Sequence, residues 1–424
     1  MDKKIVVIGL GYVGLPLACI LAKNGFSVLG VDINRKTVKN LNYKKSDLVE
    51  KNLDELLNYV IDNKKLRATT DYSESKNYKN FIICVPTPVD EDKPNMKYLF
   101  DSCKKLSNYL KREDLIIVES SVSPGTMGKV SEILEEGSKL KIGKDLLLAH
   151  CPERIFPVNV LYEIENNDRI IAGFDDNSLE RAEEIYKSFC RGKILKTSIK
   201  MAELIKMAEN TYRDVNIALA NEFGLICEKL GVDVKELIYL ANTHPRVNFL
   251  SPGCGVGGSC IPKDPVLLNK MLEKEYGFET KLIKTARNVN KLMEKYFVDK
   301  IIKNIDDRKN ILVLGLAYKG DVADTRDSPA IKIINILMEK GFDVSTYDPL
   351  IKEFNDIKTI KNLDEIDKKF DAIIIATDHT EFKEISPEKL KKLCKERALI
   401  ADGRNILNKE DILSLGLKYI GVGR

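Results

Sequence analysis

Short runs of β-branched and aliphatic residues alternate with longer amphipathic stretches near the start of the chain. The run at residues 5–8 (IVVI) is followed by an apolar helical stretch at 15–23 and a second strand-like run at 27–31 (SVLGV). Further runs of this kind occur at 81–85, 115–118 and 146–148. Short, wholly apolar runs are typical of parallel strands that are buried on both faces. The pattern predicts a doubly wound α/β domain with a parallel sheet.

Residues 9–14 (GLGYVG) lie between the first predicted strand and the first predicted helix. The first glycine allows a tight turn, the second lets the backbone approach a pyrophosphate, and the third lets helix and strand pack closely. Asp32 follows the second strand, where a carboxylate accepts from ribose hydroxyls and repels a 2′-phosphate. This context predicts a Rossmann-like domain that binds NAD rather than NADP. The candidate contacts here are Gly9, Gly11, Tyr12, Val13, Gly14, Asp32 and Arg35.

A helical pattern begins near residue 200. The stretch 201–230 is amphipathic, has no proline and contains one glycine, Gly224, and the stretch 281–305 is similar. A Pro/Gly-rich loop at 243–265 separates them. Apolar helix faces between two α/β domains need a partner, which predicts a central dimerisation region.

The last part of the chain resembles its beginning. Residues 310–316 (NILVLGL) correspond to the first strand and turn, and 340–344 (KGFDV) correspond to 24–28 (NGFSV). Ala317 replaces the second glycine, so we expect this second Rossmann-like domain to hold the nucleotide half of a substrate rather than a dinucleotide. The predicted fold class is therefore α/β, with two Rossmann-like doubly wound parallel-sheet domains joined by a central helical dimerisation region. The predicted domains are 1–199, 200–304 and 305–424.

Composition excludes several classes of protein. With 68 basic and 64 acidic residues the net charge is +4, which is too balanced to indicate a nucleic-acid partner. Nine cysteines without a C-x-x-C pair predict neither a disulfide framework nor a common zinc site, and three histidines do not favour a metal centre. No signal peptide and no membrane-length apolar run are recognisable, so we expect a cytoplasmic protein without a membrane partner.

The densest chemical signal is the segment 251–265 (SPGCGVGGSCIPKDP). Cys260 follows two glycines and precedes Asp264 by four residues, and a thiolate is the nucleophile that forms covalent intermediates at a carbonyl. Lys206 and Asn210 lie one helical turn apart and together suit the stabilisation of an oxyanion. Spacing alone leaves open a buried structural cysteine and a solvated lysine beside an asparagine.

Several of these motifs, in this order, resemble the UDP-glucose/GDP-mannose dehydrogenases. The resemblance spans nearly the whole chain and rests on 9–14, 85–88 (VPTP), 152–153 (PE), Lys206 with Asn210, 257–260 (GGSC), Asp264 and 324–328 (DTRDS). It implies an NAD-dependent enzyme that oxidises the C6 alcohol of a nucleotide sugar twice, to a uronate.

Within the family, the sequence is most similar to the branch that acts on UDP-N-acetyl-D-mannosamine. The indications are 151–154 (CPER) with Pro157, where the UDP-glucose branch usually has a second glutamate, and 244–248 (HPRVN). Two departures are Ser259, where the N-acetylhexosamine branch often has histidine, and Cys254, where many relatives have proline. UDP-N-acetylglucosamine, UDP-glucose and GDP-mannose remain alternative substrates.

The resemblance also implies roles for individual residues. Cys260 would attack the C6 aldehyde and pass through a thiohemiacetal to a thioester, while Lys206 and Asn210 stabilise the oxyanion. Asp264 would activate water with Ser121, and Glu153 would assist proton transfer beside the sugar. Further NAD contacts would be Pro86, Thr87, Ser121 and Arg326. Further contacts to a UDP-N-acetylhexosamine would be Glu153, Arg154, Lys206, Asn210, Asn248, Gly257, Lys319 and Arg404.

Three further expectations follow from the sequence. Arg246 would reach the active site of a neighbouring subunit in a homodimer or higher homo-oligomer. Oxidation could join Cys260 to Cys254 or to Cys151 and inactivate the enzyme reversibly. Two other classes of protein remain possible: a two-electron 3-hydroxyacid-type dehydrogenase, which needs no cysteine, and a catalytically silent nucleotide sensor.

Overall fold

The computed structural model describes residues 2–48, 50–90, 93–155, 159–305, 310–354 and 357–424. The chain forms two compact units, Met1–Ala208 and Glu209–Arg424, and the boundary falls inside one long helix. Pro157, one of the residues that indicated the substrate branch, lies outside the described residues.

The first unit is an α/β unit built around one large sheet. Its strands are β1 (Lys4–Ile8), β2 (Ser27–Val31), β3 (Leu66–Thr69), β4 (Asn80–Ile83), β5 (Val89–Asp90), β6 (Lys93–Pro94), β7 (Leu115–Val118), β8 (Leu147–His150), β9 (Arg169–Gly173) and β10 (Ile194–Thr197). Its helices are α1 (Gly14–Lys23), α2 (Arg35–Asn42), α3 (Leu53–Asp62), α4 (Lys97–Ser107), α5 (Thr126–Ser138), α6 (Val160–Asn166) and α7 (Asp176–Lys187), with a 3₁₀ turn at Tyr72–Asn77.

The strand order of this sheet is β10-β9-β8-β7-β4-β1-β2-β3. Neighbouring strands are parallel except β8 and β9, which are antiparallel. Along β1, Ile5 and Val7 belong to one core cluster and Val6 and Ile8 to the other, so both faces of the strand are buried. In the sheet, β2 lies on one side of β1 and β4 lies on the other. The strand order changes direction at this point, which creates a crevice at the carboxyl ends of these strands.

The second unit contains the helical region and a second sheet. Its helices are α8 (Ile199–Leu230), which begins in the first unit, α9 (Val234–Ala241), α10 (Asp264–Tyr276), α11 (Lys281–Ile302), α12 (Pro329–Glu339), α13 (Thr380–Lys383), α14 (Pro387–Leu393) and α15 (Lys409–Ser414). Its strands are β11 (Asn310–Leu314), β12 (Asp343–Tyr347), β13 (Phe370–Ile375), β14 (Cys394–Asp402) and β15 (Lys418–Gly421), with a 3₁₀ turn at Leu363–Glu365.

The second sheet is parallel throughout, in the order β12-β11-β13-β14-β15. Ile311 and Val313 face one core cluster, and Leu312 and Leu314 face the other. The predicted fold class, two Rossmann-like sheets joined by a helical region, is confirmed, and the antiparallel β8–β9 pair is an addition that the apolar runs did not indicate. Among the described helices, none combines the length and the apolar character that crossing a bilayer demands.

Candidate active site

The turn between β1 and α1 depends on two of its glycines. Gly9 has a φ of +91°, and a Cβ atom there would lie 2.8 Å from the carbonyl oxygen of Cys84. A Cβ atom on Gly14 would lie 1.8 Å from the carbonyl oxygen of Gly9. A Cβ atom on Gly11 would meet nothing within 4 Å, and no side chain caps the first turn of α1. Open space beside an uncapped helix N-terminus fits the pyrophosphate of a dinucleotide.

The carboxylate of Asp32 holds this turn from the end of β2. It accepts hydrogen bonds from the backbone N–H groups of Leu10 and Asn34, each at 2.8 Å. Asp32 nevertheless stays partly exposed, so its remaining acceptor capacity is available to a ribose. The other sequence candidates at this edge are Tyr12 and Arg35, which are exposed, and Val13, which is half-buried.

The loops that follow β4 and β7 meet at the same edge of the sheet. The hydroxyl of Thr87 donates to the carbonyl oxygen of Ser121 at 2.6 Å, and the hydroxyl of Ser120 donates to the carbonyl oxygen of Val85 at 2.7 Å. Thr87 and Ser121 are half-buried, and Pro86 is exposed. The structure therefore brings these three candidates together beside the crevice.

Glu153 lies in the loop after β8 and is half-buried. Burial raises the pKa of its carboxyl, and the ammonium of Lys206 opposes that shift. Its carboxylate also accepts from the backbone N–H of Ile155. A carboxyl with a raised pKa suits proton transfer near neutral pH. The neighbouring Arg154 donates to the carbonyl oxygen of Asp168 at 3.1 Å.

A buried polar cluster lies beneath this loop. Glu119 is 1% exposed and accepts from Arg169 Nη1 at 3.1 Å and from the Tyr186 hydroxyl at 2.7 Å. The thiol of Cys84 donates to the same carboxylate at 3.7 Å, and Arg169 Nη1 lies 3.8 Å from the sulfur of Cys151. Burial raises the pKa of Cys151 to about 12 and also raises that of Cys84, so neither thiol is a nucleophile near neutral pH.

Sequence reasoning missed this cluster. Glu119 directly follows β7, and its carbonyl oxygen accepts from the backbone N–H of Glu153 at 3.3 Å. Its partner Arg169 lies 50 positions later in the chain, so no local spacing connects the two. The one available signal was a glutamate at the end of an apolar strand.

In the second unit, Cys260 and Asp264 are joined by a backbone turn. The N–H groups of Lys263 and Asp264 donate to the carbonyl oxygen of Cys260 at 3.0 and 2.9 Å. Asp264 begins α10, and the amide of Asn210 donates to its carboxylate at 2.6 Å. Asn210 and Asp264 are both buried. Lys206 precedes Asn210 by one turn on α8 and is half-buried.

The loop that carries Cys260 lies against the ring of Tyr318. A Cβ atom on Gly257 or Gly258 would lie 2.9 or 2.7 Å from the Tyr318 side chain, so larger residues do not fit at either position. Cys260 is half-buried, and the hydroxyl of Ser259 lies 3.4 Å from its sulfur. The thiol is therefore accessible from one side and held in place on the other.

Two arginines act electrostatically on this cysteine, and sequence reasoning missed one of them. Burial lowers the pKa of Arg213, while the charges of Tyr318 and Cys260 oppose that shift. Arg326 has a raised pKa, chiefly from its hydrogen bonds to Asp324 and less from Tyr318 and Cys260. Two cations within electrostatic range of a thiol favour its thiolate form. Arg213 lies three residues after Asn210 on α8, which was the overlooked signal.

Arg404 follows β14 and lies beside the start of the cysteine loop. Its Nε donates to the carbonyl oxygen of Ala376 at 2.9 Å, and its Nη1 donates to that of Gly255 at 3.3 Å. Its Nη2 is buried and has no partner among the described residues. A buried guanidinium donor without a protein partner fits the phosphate oxygens of a nucleotide. Lys319, the other predicted UDP contact, is half-buried in the loop after β11.

Arg246 and Asn248 are not brought to Cys260 by any contact within the described part of the second unit. Both are exposed on the loop after α9. The amide of Asn242 closes this loop through hydrogen bonds with the backbone of Phe249 at 3.1 and 2.7 Å. The loop is thus a defined projection that presents both side chains to solvent.

Cys254 is fully buried, and its thiol donates to the carbonyl oxygen of Ala376 at 3.8 Å. Burial raises the pKa of this thiol, which disfavours the thiolate that disulfide exchange requires. A disulfide between Cys260 and Cys254 or Cys151 stays a prediction. Across the described ranges, no three His, Cys, Asp or Glu side chains are grouped so as to hold a metal ion.

Known proteins match this chain along most of its length. Residues 3–190 match the NAD binding domain of the UDP-glucose/GDP-mannose dehydrogenase family, residues 200–292 its central domain and residues 312–409 its UDP binding domain. The chain is 44% identical over 430 residues to a UDP-N-acetyl-D-mannosamine dehydrogenase of Methanocaldococcus jannaschii, covering 100% of this chain and 97% of that one. It is 40% identical over 427 residues to a protein of the same name from Pyrococcus horikoshii, covering 99% of both.

Solved structures agree with the sequence matches. The structure of a UDP-D-ManNAc dehydrogenase from Pyrococcus horikoshii superposes with a TM-score of 0.92 at 39% identity, over 99% of both chains. The first and third matched domains confirm NAD as the cofactor and a nucleotide sugar as the kind of substrate. The chain belongs to the UDP-glucose/GDP-mannose dehydrogenase family.

Proposed function

We propose that this enzyme oxidises UDP-N-acetyl-D-mannosamine at C6 to UDP-N-acetyl-D-mannosaminuronate, in two oxidations at one site. The observation that carries the proposal is the Cys260–Asp264 turn, in which a half-buried thiol and a carboxylate held by Asn210 are adjacent. The names of the relatives at 40% and 44% identity support the choice of sugar.

The first oxidation removes a proton from the C6 hydroxyl and a hydride from C6. NAD, when bound, would supply the oxidant by taking up a hydride from C6, and a second NAD molecule would be needed for the second oxidation. The residues around the glycine turn, Asp32, Thr87 and Ser121 would hold NAD. Glu153, whose pKa is raised by burial, is suited to exchange the hydroxyl proton, and the Lys206 ammonium is suited to stabilise the alkoxide.

Cys260 performs the covalent step. Its thiolate adds to the C6 aldehyde, forming a C–S bond, and the carbonyl oxygen becomes an alkoxide stabilised by Lys206 and the Asn210 amide. Loss of the second hydride from C6 converts this thiohemiacetal into a thioester. Arg213 and Arg326 favour the attacking thiolate by their charge.

Hydrolysis completes the reaction. Asp264 accepts a proton from water, the hydroxide attacks the thioester carbon, and the C–S bond breaks to return the Cys260 thiolate and the uronate. The hydrogen bond from Asn210 orients the Asp264 carboxylate for this step. Arg404, Lys319 and Gly257 would hold the UDP moiety, and Arg154 and Asn248 would lie beside the sugar.

The test is to count NADH formed per sugar consumed, with UDP-N-acetylmannosamine, UDP-N-acetylglucosamine, UDP-glucose and GDP-mannose in parallel. We expect two NADH per UDP-N-acetylmannosamine and little turnover of the other three. One NADH per sugar would refute the thioester route, and turnover of another sugar alone would refute the substrate.

Two cysteine variants sharpen this experiment. Cys260→Ser should lose the second oxidation, whereas Cys254→Ser, six residues earlier and fully buried, should keep it. Normal turnover by a Cys260→Ala variant would favour a two-electron 3-hydroxyacid-type dehydrogenase. Tight NAD binding without turnover of any sugar would favour a nucleotide sensor.

We further propose that the enzyme is a homodimer or higher homo-oligomer. Large apolar side chains are exposed along α8: Met201, Leu204, Tyr212, Leu219, Ile226 and Leu230. An exposed apolar row on one long helix is best buried by a second copy of the same helix. Arg246, on its exposed loop, would then reach the substrate of the neighbouring subunit.

Subunit complementation tests this arrangement. Cys260→Ser and Arg246→Ala homo-oligomers should each be nearly inactive. Mixed and reassembled dimers should recover about a quarter of wild-type activity, because half are heterodimers with one intact site each. No recovery in verified heterodimers would refute the role of Arg246, and a monomer in sedimentation experiments would refute the oligomer.

The three-domain division at 1–199, 200–304 and 305–424 also stands as a proposal, supported by the order of the three matched domains.

We propose a cytoplasmic location because no disulfide bond is present among the nine cysteines, as expected in a reducing compartment. Fractionation of cells that carry a tagged chain tests this.

A further inference from the structure

The carboxylate at the end of the second strand is used differently in the two sheets. Asp32 accepts from the N–H of Leu10 at 2.8 Å and remains partly exposed. Asp348, at the end of β12, accepts from the N–H of Leu316 at 2.7 Å but is fully buried. Nε2 of His379 lies 3.1 Å from the same oxygen of Asp348. The second carboxylate is therefore closed to a ribose and bonded to an imidazole instead.

His379 is hydrogen-bonded on both ring nitrogens and has no exposed surface. Its Nδ1 accepts from the backbone N–H of Asp321 at 3.0 Å, which requires the proton to be on Nε2, where it is donated to Asp348. The ring also packs edge-on against Phe382, with centroids 5.3 Å apart. One rigid side chain thus connects the end of β12 to Asp321.

The residues between these contacts form the 316–321 loop, which carries Tyr318 and Lys319. Further hydrogen bonds join the two ends of this loop to the segment after β13: Thr377 Oγ1 to Ala317 O (2.6 Å), Gly320 N to Asp378 Oδ1 (3.0 Å) and Thr380 N to Asp321 Oδ1 (2.9 Å). Tyr318 and Lys319 lie between these bonded ends. Tyr318 is the residue whose ring supports Gly258 in the cysteine loop.

We propose that His379 is a positioning residue for the nucleotide: its bond to Asp348 fixes the tautomer that can accept from the Asp321 N–H, and through that second bond it holds the 316–321 loop so that Lys319 is placed for the UDP phosphates and Tyr318 for the cysteine loop. This inference rests on the proposed function, in which Lys319 contacts UDP. A loop fixed before binding loses little conformational freedom when the ligand arrives, which increases affinity.

Two substitutions separate the two bonds of the ring. In His379→Asn the side-chain oxygen lies near the position of Nδ1 and can still accept from Asp321. In His379→Gln the amide nitrogen lies near the position of Nε2 and can still donate to Asp348, but the bond to Asp321 is lost. We expect both variants to be less stable, and UDP to bind about tenfold more weakly to His379→Gln while His379→Asn stays close to wild type.

The measurement is calorimetric titration of the full chain with UDP, together with KM for the sugar nucleotide, KM for NAD and kcat. We expect His379→Gln to raise KM for the sugar nucleotide and to leave KM for NAD unchanged. Tyr347→Phe is the matched control. It removes the hydrogen bond from the Tyr347 hydroxyl to Glu381 at 2.7 Å, beside the same Phe382 ring, and it removes no hydrogen bond of the 316–321 loop. It should bind UDP as wild type does.

Thr380→Val is a milder variant that removes the 2.7 Å hydroxyl bond to Asp321, and it should weaken UDP binding about threefold even if His379→Gln does not fold. Wild-type UDP affinity in both His379→Gln and Thr380→Val would overturn the inference alone. Equal losses of UDP affinity in His379→Asn, His379→Gln and Tyr347→Phe would mean that His379 only stabilises the fold and does not position the loop. A wild-type chain that does not bind UDP would overturn the proposed function as well.

Discussion

Asn221 connects the helix pair α8 and α11 to the loop that carries the catalytic cysteine. Its Nδ2 donates to Asn290 Oδ1 at 2.9 Å, and its Oδ1 accepts from the N–H of Gly253 at 2.9 Å. Asn290 in turn donates to the carboxylate of Asp214, which also pairs with Arg287. Replacing Asn221 with leucine breaks this buried chain of hydrogen bonds at its centre.

The cost follows from the groups left behind. Asn221 has no exposed surface, and Leu has the branched shape of Asn with a larger volume, so no space is left for a water molecule to replace the lost amide. The N–H of Gly253 and the Oδ1 of Asn290 are left without partners, at about 1–3 kcal/mol each. We expect Asn221→Leu to lower the free energy of unfolding by about 4 kcal/mol. Because the cysteine loop begins at Gly253, we also expect kcat to fall at least about tenfold.

Urea unfolding followed by circular dichroism at 222 nm measures the first effect, since the chain has no tryptophan for fluorescence. NADH formation measures the second. Asn216→Ala is the control on the same helix, because the Asn216 amide donates to the carbonyl oxygen of Tyr212 one turn earlier, at 3.0 Å, and joins no other element through that bond. Asn216→Ala should stay within about 0.5 kcal/mol of wild type. An Asn221→Leu variant with the wild-type urea midpoint and kcat would refute the reasoning.

Three further outcomes are expected. Burial raises the pKa of Asp114 from 3.8 to about 6, so the native chain keeps a proton that the unfolded chain releases. The free energy of unfolding should therefore fall by at most about 3 kcal/mol as pH rises through this interval. Asp114→Asn should remove that decline, as measured by urea unfolding at several pH values. Arg169→Met leaves the Glu119 carboxylate buried without its cation and should lower the free energy of unfolding by about 3–5 kcal/mol. The double variant, Arg169→Met with Glu119→Leu, should recover most of this loss, as measured by thermal unfolding. Gly11→Ala should fold with wild-type stability because its Cβ meets nothing within 4 Å, yet NAD titration should show weaker binding, since that space is where the pyrophosphate approaches.

The sequence predicted best what depends on neighbours in the chain. The turn at residues 9–14, the acid at Asp32 and the Cys260–Asp264 pair all rest on local spacing, and the structure joins each of them by backbone hydrogen bonds. The two parallel sheets were predictable because strands buried on both faces need wholly apolar runs. The assignment of individual catalytic roles remains a prediction.

The contacts that sequence reasoning missed join distant positions. Glu119 meets Arg169 across 50 residues, and Asn221 meets Asn290 across 69. Polar side chains of this kind look like surface residues until the fold buries them together, so composition and periodicity carry no signal for them. The antiparallel β8–β9 pair escaped for a related reason, because an apolar run does not encode strand direction.

The two carboxylates at the ends of β2 and β12 bear on how the cofactor preference could be changed. Each carboxylate holds the turn after the first strand of its unit by accepting from the equivalent backbone N–H, that of Leu10 at 2.8 Å and that of Leu316 at 2.7 Å. Only Asp32 is also accessible to a ribose. The acid is thus first a part of the turn and only then a ligand for NAD. A redesign toward NADP that simply removes Asp32 would release the Leu10 N–H and loosen the glycine turn itself. A neutral acceptor such as asparagine, combined with a new cation for the 2′-phosphate, is the substitution that respects both roles.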